Sequence, residues 1–101
     1  MHRATARFPD FERVEVGRQL REATKSISAN IAEGYGRRGS RADQRRFLIM
    51  ALGSCEEVQV WLSFARDLGY LDGAGYEALH QGYQEMGRML NGLLKAWTPE
   101  P

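Results

Sequence analysis

The sequence predicts an all-α protein, an antiparallel helical bundle forming a single domain over residues 1–101. Three observations carry this expectation. Three long stretches place apolar residues at steps of three and four, no stretch alternates as a strand does, and the connections are only a few residues long. One hundred and one residues suffice for one core and not for two. With 43% hydrophobic residues, 27% charged residues and three prolines, the composition is that of a folded chain rather than a disordered one.

The first helix is expected over about 11–33, with Asp10, just after Pro9, placed to cap the free amides of its first turn. Val16, Leu20, Ala23, Ile27 and Ile31 share one face. Gly34-Tyr35-Gly36 is expected to end the helix, glycine supplying the left-handed conformation of a terminus.

The second helix is expected over about 41–68, opened by Ser40-Arg41-Ala42-Asp43, which is close to a capping box, and stopped at Gly69. Its predicted buried face is Phe47, Ala51, Ser54, Val58, Trp61, Ala65 and Leu68. From Phe47 to Cys55 no residue is charged, and nine successive residues point in every direction around a helix. A helix that is apolar all round must be covered all round, which three helices cannot do for one of their own. Leu48, Ile49, Met50, Leu52 and Gly53 are therefore candidates for a homo-oligomer interface, and Ala51, Gly53 and Ser54 are small enough to admit a close neighbour. The competing reading leaves Ile49 and Met50 simply exposed.

The third helix is expected over about 73–96. Tyr76, Leu79, Tyr83, Met86, Leu90, Leu93 and Trp97 follow the heptad rhythm of a bundle seam. Gly82, Gly87 and Gly92 each weaken its helix propensity by about 1 kcal/mol, so packing has to hold it. Trp61, Phe64, Trp97 and the methionines all follow core spacing and need no cofactor to explain them.

The net charge of +1 hides a polarised chain. Residues 1–46 carry eleven Lys/Arg against six Asp/Glu, and residues 47–101 carry three against seven. Arg37 and Arg38 follow a helix carboxyl end, where the dipole favours cations. Arg41, Arg45 and Arg46 occupy the opening turns of the next helix, where it does not. Free amides beside several guanidiniums suit phosphate, which makes these five arginines the candidate nucleic-acid-binding residues. The competing reading is a solvated or salt-bridged face that uses Glu33 or acidic groups of a neighbouring subunit. Among aromatics expected to be exposed only Tyr35 lies close, so contact is expected with phosphates rather than with stacked bases.

Ser26, Asn30, Glu33 and Arg37 lie along one side of the first helix and its continuation. Ser26, Asn30 and Glu33 are read as structural polar residues that fix helix register, because a buried amide demands a specific partner.

No catalytic constellation assembles, and no enzyme activity, cofactor or metal is expected. Cys55 is the sole cysteine and sits in the apolar stretch, where a thiol behaves as a small hydrophobe. His2 is near the terminus, and His80 reads as a solvated surface residue. Glu56 and Glu57 diverge by about 100° around a helix and cannot form a dyad. There is no paired Glu-x-x-His, no P-loop and no dinucleotide fingerprint. The longest apolar run, Phe47 to Leu52, is far short of a membrane span, and no apolar stretch near the start suggests a secretory signal. A cytoplasmic protein is expected, in keeping with the single cysteine.

The string Ser26-Ile27-Ser28-Ala29-Asn30-Ile31-Ala32-Glu33-Gly34, followed by Arg37-Arg38, is distinctive. With Phe8-Pro9, Glu12, Phe47-Leu48, Gly53-Ser54-Cys55-Glu56-Glu57 and Leu68-Gly69-Tyr70-Leu71, it resembles the bacterial four-helix-bundle proteins encoded in intervening sequences of 23S rRNA genes. The resemblance covers about Phe8 to Trp97. That family is similar in fold to the accessory protein of diversity-generating retroelements, a basic pentameric barrel that works with a reverse transcriptase and its RNA. The resemblance implies a homopentameric barrel of antiparallel bundles. Members usually carry a further helix before the Phe-Pro, and here Met1 to Arg7 stand in its place, so the first family helix is expected to be short or missing.

The expected function is thus non-catalytic: a homo-oligomer that binds RNA or DNA through an arginine-rich rim, with a reverse transcriptase or another protein as a further partner. The alternative is a protein–protein scaffold with no nucleic-acid role.

Overall fold

The computed structural model describes residues 2–97, and the side chains of residues 11–96. Three helices follow one another: α1 (His2–Gly36), α2 (Arg41–Asp67) and α3 (Gly73–Trp97). No strand occurs among the described residues. The molecule is a rod with extents of 59 × 22 × 19 Å. A helix of 35 residues at about 1.5 Å per residue sets that long axis.

Each end of α2 shows why it stops. At the start, Ser40 is extended (φ −123°, ψ 111°) and its side chain accepts from the Asp43 amide at 3.3 Å. Only this half of the expected capping box forms, since the Ser40 amide donates instead to the Arg37 carbonyl. At the finish, Gly69 has φ +82°, its amide donates to the Arg66 carbonyl, and the Tyr70 amide donates to the Ala65 carbonyl. This pair of bonds is a Schellman closure. The third helix is capped by Asp72, whose Oδ1 accepts from the Gly75 amide at 2.6 Å.

The two ends of α1 differ from expectation. The helix begins at His2 rather than near Phe11, so the Asp10 backbone lies inside it, and the expected cap by its side chain lies outside the described residues. Proline holds φ near −65°, which a helix accepts, and Pro9 removes one backbone donor without ending the helix. At the other end neither Gly34 nor Gly36 turns left-handed. The helix runs through both and closes in the turn at residues 37–39, where the Arg37 amide reaches Glu33 and Gly34 and the Arg38 amide reaches Tyr35. Gly34 is buried for a different reason: a Cβ there would lie 3.5 Å from the Gln44 carbonyl oxygen and from the Phe47 Cβ, so α1 and α2 run close together.

All packing is organised by α2. Both α1 and α3 pair with it, antiparallel, and among the described residues they do not pair with each other. One core cluster joins all three helices, with Ala23 and Ile27 from α1, Cys55, Val58 and Leu62 from α2, and Tyr76 from α3. A second cluster, Leu48, Ala51, Leu90 and Leu94, belongs to α2 and α3 alone.

The buried stripe of α2 is Leu48, Ala51, Cys55, Val58, Leu62 and Ala65, one residue on from much of the predicted face. Phe47, Ser54 and Trp61 are only half-buried, and Leu68 is exposed. A central helix turns its middle toward the space between two neighbours, so the residues meeting either neighbour alone fall to the flanks. On α1, the last step after Ile27 is three rather than four, which buries Asn30 and leaves Ile31 exposed. On α3, Leu79 and Leu93 are exposed, and Leu94 is buried. Phe64, Met50 and Met89 are exposed too, which corrects their assignment to the core. The side chains of His2 and Trp97 lie outside the described residues.

An 18-residue window of α2 averages a hydropathy of 1.3, which is long and apolar enough to cross a membrane by length and composition. The count of contiguous apolar residues misses this window. In the fold, α2 is the central helix with neighbours on two sides.

Candidate nucleic-acid interface

The five predicted arginines gather at the corner where α1 turns into α2. Phe47 and Asp43 organise them. The Arg37 guanidinium stands 5.5 Å from the Phe47 ring centre and the Arg46 guanidinium 4.7 Å from it, both within cation–π range. Asp43 reaches Arg37 at 3.6 Å and Arg46 at 3.8 Å, and Glu33 reaches Arg37 at 3.7 Å. Arg38 lies 4.2 Å over the Tyr35 ring and donates to the Tyr35 carbonyl at 3.0 Å.

These ion pairs are exposed and longer than good hydrogen bonds, so each is worth at most about 1 kcal/mol. They realise part of the salt-bridged reading for Arg37 and Arg46. Arg41 and Arg45 differ: among the described residues neither has a hydrogen-bond or ion-pair partner. Two acids, Glu33 and Asp43, face five arginines at this corner, which leaves a local excess of three positive charges. Guanidiniums seated on aromatic rings keep their N–H edges for an acceptor and lose less freedom when they meet one.

The predicted oligomer residues divide. Leu48 is buried by α3 within the same chain, and Leu52 is half-buried against the same cluster, so neither is an open surface. Ile49, Met50 and Gly53 face outward, with Ile49 and Met50 45% and 47% exposed. Ile49 and Met50 join Ala42, Arg45 and Arg46 around a shallow depression of about 360 Å³. The outward apolar residues and the arginines, read separately in the sequence, thus form one continuous surface.

The polar stripe also divides. The Ser26 and Ser54 hydroxyls lie 2.7 Å apart, and the Asn30 amide donates to the Ser26 carbonyl at 2.8 Å and to its hydroxyl at 3.1 Å. Asn30 is buried, and this network ties α1 to α2. Glu33 is exposed and belongs instead to the arginine corner.

The remaining chemistry-bearing residues are dispersed. The Cys55 thiol is fully buried and donates to the Tyr83 carbonyl at 3.0 Å. Burial pushes its pKa up, the neighbouring Glu56 charge adds to this, and a backbone hydrogen bond from Gly87 opposes it. Among the described residues no three of His, Cys, Asp and Glu converge as metal ligands. His80 corrects its reading as a solvated residue: its ring stacks on Tyr76 at 5.2 Å, and its Nδ1 is buried without a partner. Arg66 lies 4.2 Å from the same Tyr76 ring. The four-residue step from Tyr76 to His80 was the available sequence signal for this stack. No comparable signal marked Phe47 as a seat for two arginines, because one of them lies across the turn.

The profile of one family, described as 23S rRNA-intervening sequence protein, matches residues 1–92. A crystal structure from Bacteroides thetaiotaomicron, described as a protein of unknown function from the S23 ribosomal protein family, is similar with a TM-score of 0.75. The two sequences are 29% identical, over 79% of this chain and 73% of that one. No curated protein matches the chain.

Proposed function

The chain belongs to the 23S rRNA-intervening sequence protein family, and from that premise we propose a non-catalytic, homo-oligomeric helical bundle that binds nucleic acid through its arginine corner. One observation carries this reading. Among the described residues Arg41 and Arg45 stand without a hydrogen-bond or ion-pair partner in the opening turns of α2, where the helix dipole works against them. A phosphate would supply the missing charge and meet free amides at the same place. Arg37, Arg38 and Arg46, held on Phe47 and Tyr35, extend the contact along a backbone.

RNA is the proposed target, in the cytoplasm and with a reverse transcriptase as a candidate partner. The support is the family's resemblance in fold to a retroelement accessory protein. The same resemblance supports a pentamer, in which the corner repeats five times around a rim.

A second reading, a protein scaffold, draws on the depression beside Ile49 and Met50, where an apolar floor flanked by Arg45 and Arg46 suits an acidic amphipathic segment. Labelled single-stranded RNA separates the two. Phosphate contact predicts a log–log salt slope of about −0.7 per phosphate neutralised, and replacing all five arginines by alanine abolishes binding. Absence of RNA binding at low salt, or unchanged affinity in the five-fold variant, overturns the nucleic-acid reading.

A further inference from the structure

Residues 47–101 form the acidic part of the chain, and their three cations are Arg66, Arg88 and Lys95. The fold separates these three. Arg66 lies 3.1 Å from the Asp67 carboxylate and 4.2 Å from the Tyr76 ring, at the end of α2 away from the arginine corner. Arg88 and Lys95 stand on the last three turns of α3, which runs back along α2 toward its start.

Three contacts set the height of these turns. The Cys55 thiol donates to the Tyr83 carbonyl, and a Cβ on Gly87 would lie 3.8 Å from Leu52 and 3.9 Å from the Cys55 sulfur. Leu48 shares a core cluster with Leu90 and Leu94. Arg88 is therefore level with Leu52, and Lys95 is level with Arg45.

Helical spacing then sets the side. On α2, Arg41, Arg45, Leu48 and Leu52 recur at steps of four, three and four, and the two leucines pack against α3. On α3, Arg88, Asn91 and Lys95 each follow by one position Gly87, Leu90 and Leu94, which meet α2. Leu79, Met86 and Leu93 precede that stripe by one position, and Leu79 lines a depression with Val16 and Leu20 of α1. The α1 side of α3 is thus accounted for, and Arg88, Asn91 and Lys95 take the other flank. With Arg41 and Arg45 they border one groove, on the side of α2 turned away from α1.

Arg41, Arg88, Asn91 and Lys95 are exposed and Arg45 is half-buried. Among the described residues none of the five has a hydrogen-bond or ion-pair partner. The dipole of α3 accounts for Lys95 in its last turn, but not for Arg88, more than two turns from that end. No acid occurs on α3 from Arg88 to Lys95, and Glu56 on α2 and Glu85 on α3 mark where the basic track stops. From Arg41 to the level of Arg88 the track is about 16 Å long.

We propose that a nucleic-acid backbone runs from the arginine corner into the α2–α3 groove, where Arg88 and Lys95 bind its phosphates together with Arg41 and Arg45. This deepens the proposed function and rests on it. Arg37 and Arg46, seated on Phe47, lie on the α1 flank of α2, where the Phe47 Cβ faces Gly34. The backbone therefore crosses the start of α2 from one flank to the other. Asn91, between the two α3 cations, adds an uncharged donor and acceptor to the path.

The test is fluorescence anisotropy of a labelled uridine homopolymer, titrated at a series of salt concentrations. Arg88→Gln with Lys95→Gln is expected to make the log–log salt slope shallower by about 1.4, from about 0.7 for each phosphate given up. Helical circular dichroism is expected to be unchanged in that variant. Arg21→Gln with Lys25→Gln removes the same charge from α1 and is expected to leave the slope at its wild-type value. Arg88→Lys with Lys95→Arg keeps both charges and is expected to keep the slope. The inference is overturned if the α3 pair leaves the slope unchanged, or if the α1 pair reduces it equally, which is the outcome of net charge alone. A wild-type chain that does not bind the homopolymer overturns the arginine corner itself. Binding that the five-arginine variant loses and the α3 pair retains in full overturns the groove alone.

Discussion

The hydroxyls of Ser26 and Ser54 meet at 2.7 Å across the α1–α2 interface, and Asn30 holds Ser26 from one turn along the same helix. A half-buried hydroxyl pair between helices is satisfied at one axial position only, so it selects register as well as adding stability. Ser54→Ala is expected to cost about 1 kcal/mol, read as a lower urea midpoint at unchanged slope. Asn30→Leu is expected to keep the helical signal while broadening or multiplying amide resonances. A single sharp set of peaks from that variant would remove the register role.

Glycine has opposite worth at two positions. Gly69 holds φ +82°, and a side chain there is strained, so Gly69→Ala is expected to lower stability by about 1–2 kcal/mol. Gly92 is helical and exposed, with open space where a Cβ would lie. Gly92→Ala is expected to raise stability by about 0.5–1 kcal/mol, measured in the same urea series.

Cys55 makes stability depend on pH. Its folded pKa is raised by burial above the unfolded value of about 8.5, so its contribution is complete below that pH. The contribution falls as pH rises from there toward the folded pKa, because the unfolded chain loses its thiol proton first. Thermal melts at successive pH values from 7 to 10 are expected to show the gap between wild type and Cys55→Ala narrowing above about pH 8.5. A gap that stays constant refutes the assignment.

At the arginine corner, Arg41→Ala and Arg45→Ala are each expected to make the salt slope of RNA binding shallower by about 0.7 for every phosphate left unneutralised. Among the described residues neither has a hydrogen-bond or ion-pair partner to lose, so the melting curve should move by less than about 0.5 kcal/mol. A large stability change with an unchanged slope would assign these residues to the fold.

The number of helices, their antiparallel order and the stop at Gly69 were legible in the sequence because spacing and backbone chemistry act locally. Their phase was not. Asn30 displaces Ile31 from the core because α2 pairs its Ser54 with Ser26, a fact that exists only once two helices are placed together. Pro9 looked like a helix start and is not one, since a single missing donor is a small loss inside a long helix. The five arginines were legible as a cluster, but their division was not. Asp43 neutralises two that are distant in sequence from each other, through a turn whose geometry no spacing rule contains.

Because among the described residues α1 and α3 each pair with α2 and not with each other, the central helix takes part in two docking events that need not be simultaneous. Either outer helix can peel away while the remaining hairpin stays closed, whereas α2 amides open only when both have left. Native-state hydrogen exchange should therefore rank α2 slowest, with α1 and α3 exchanging through separate partial unfoldings of lower free energy.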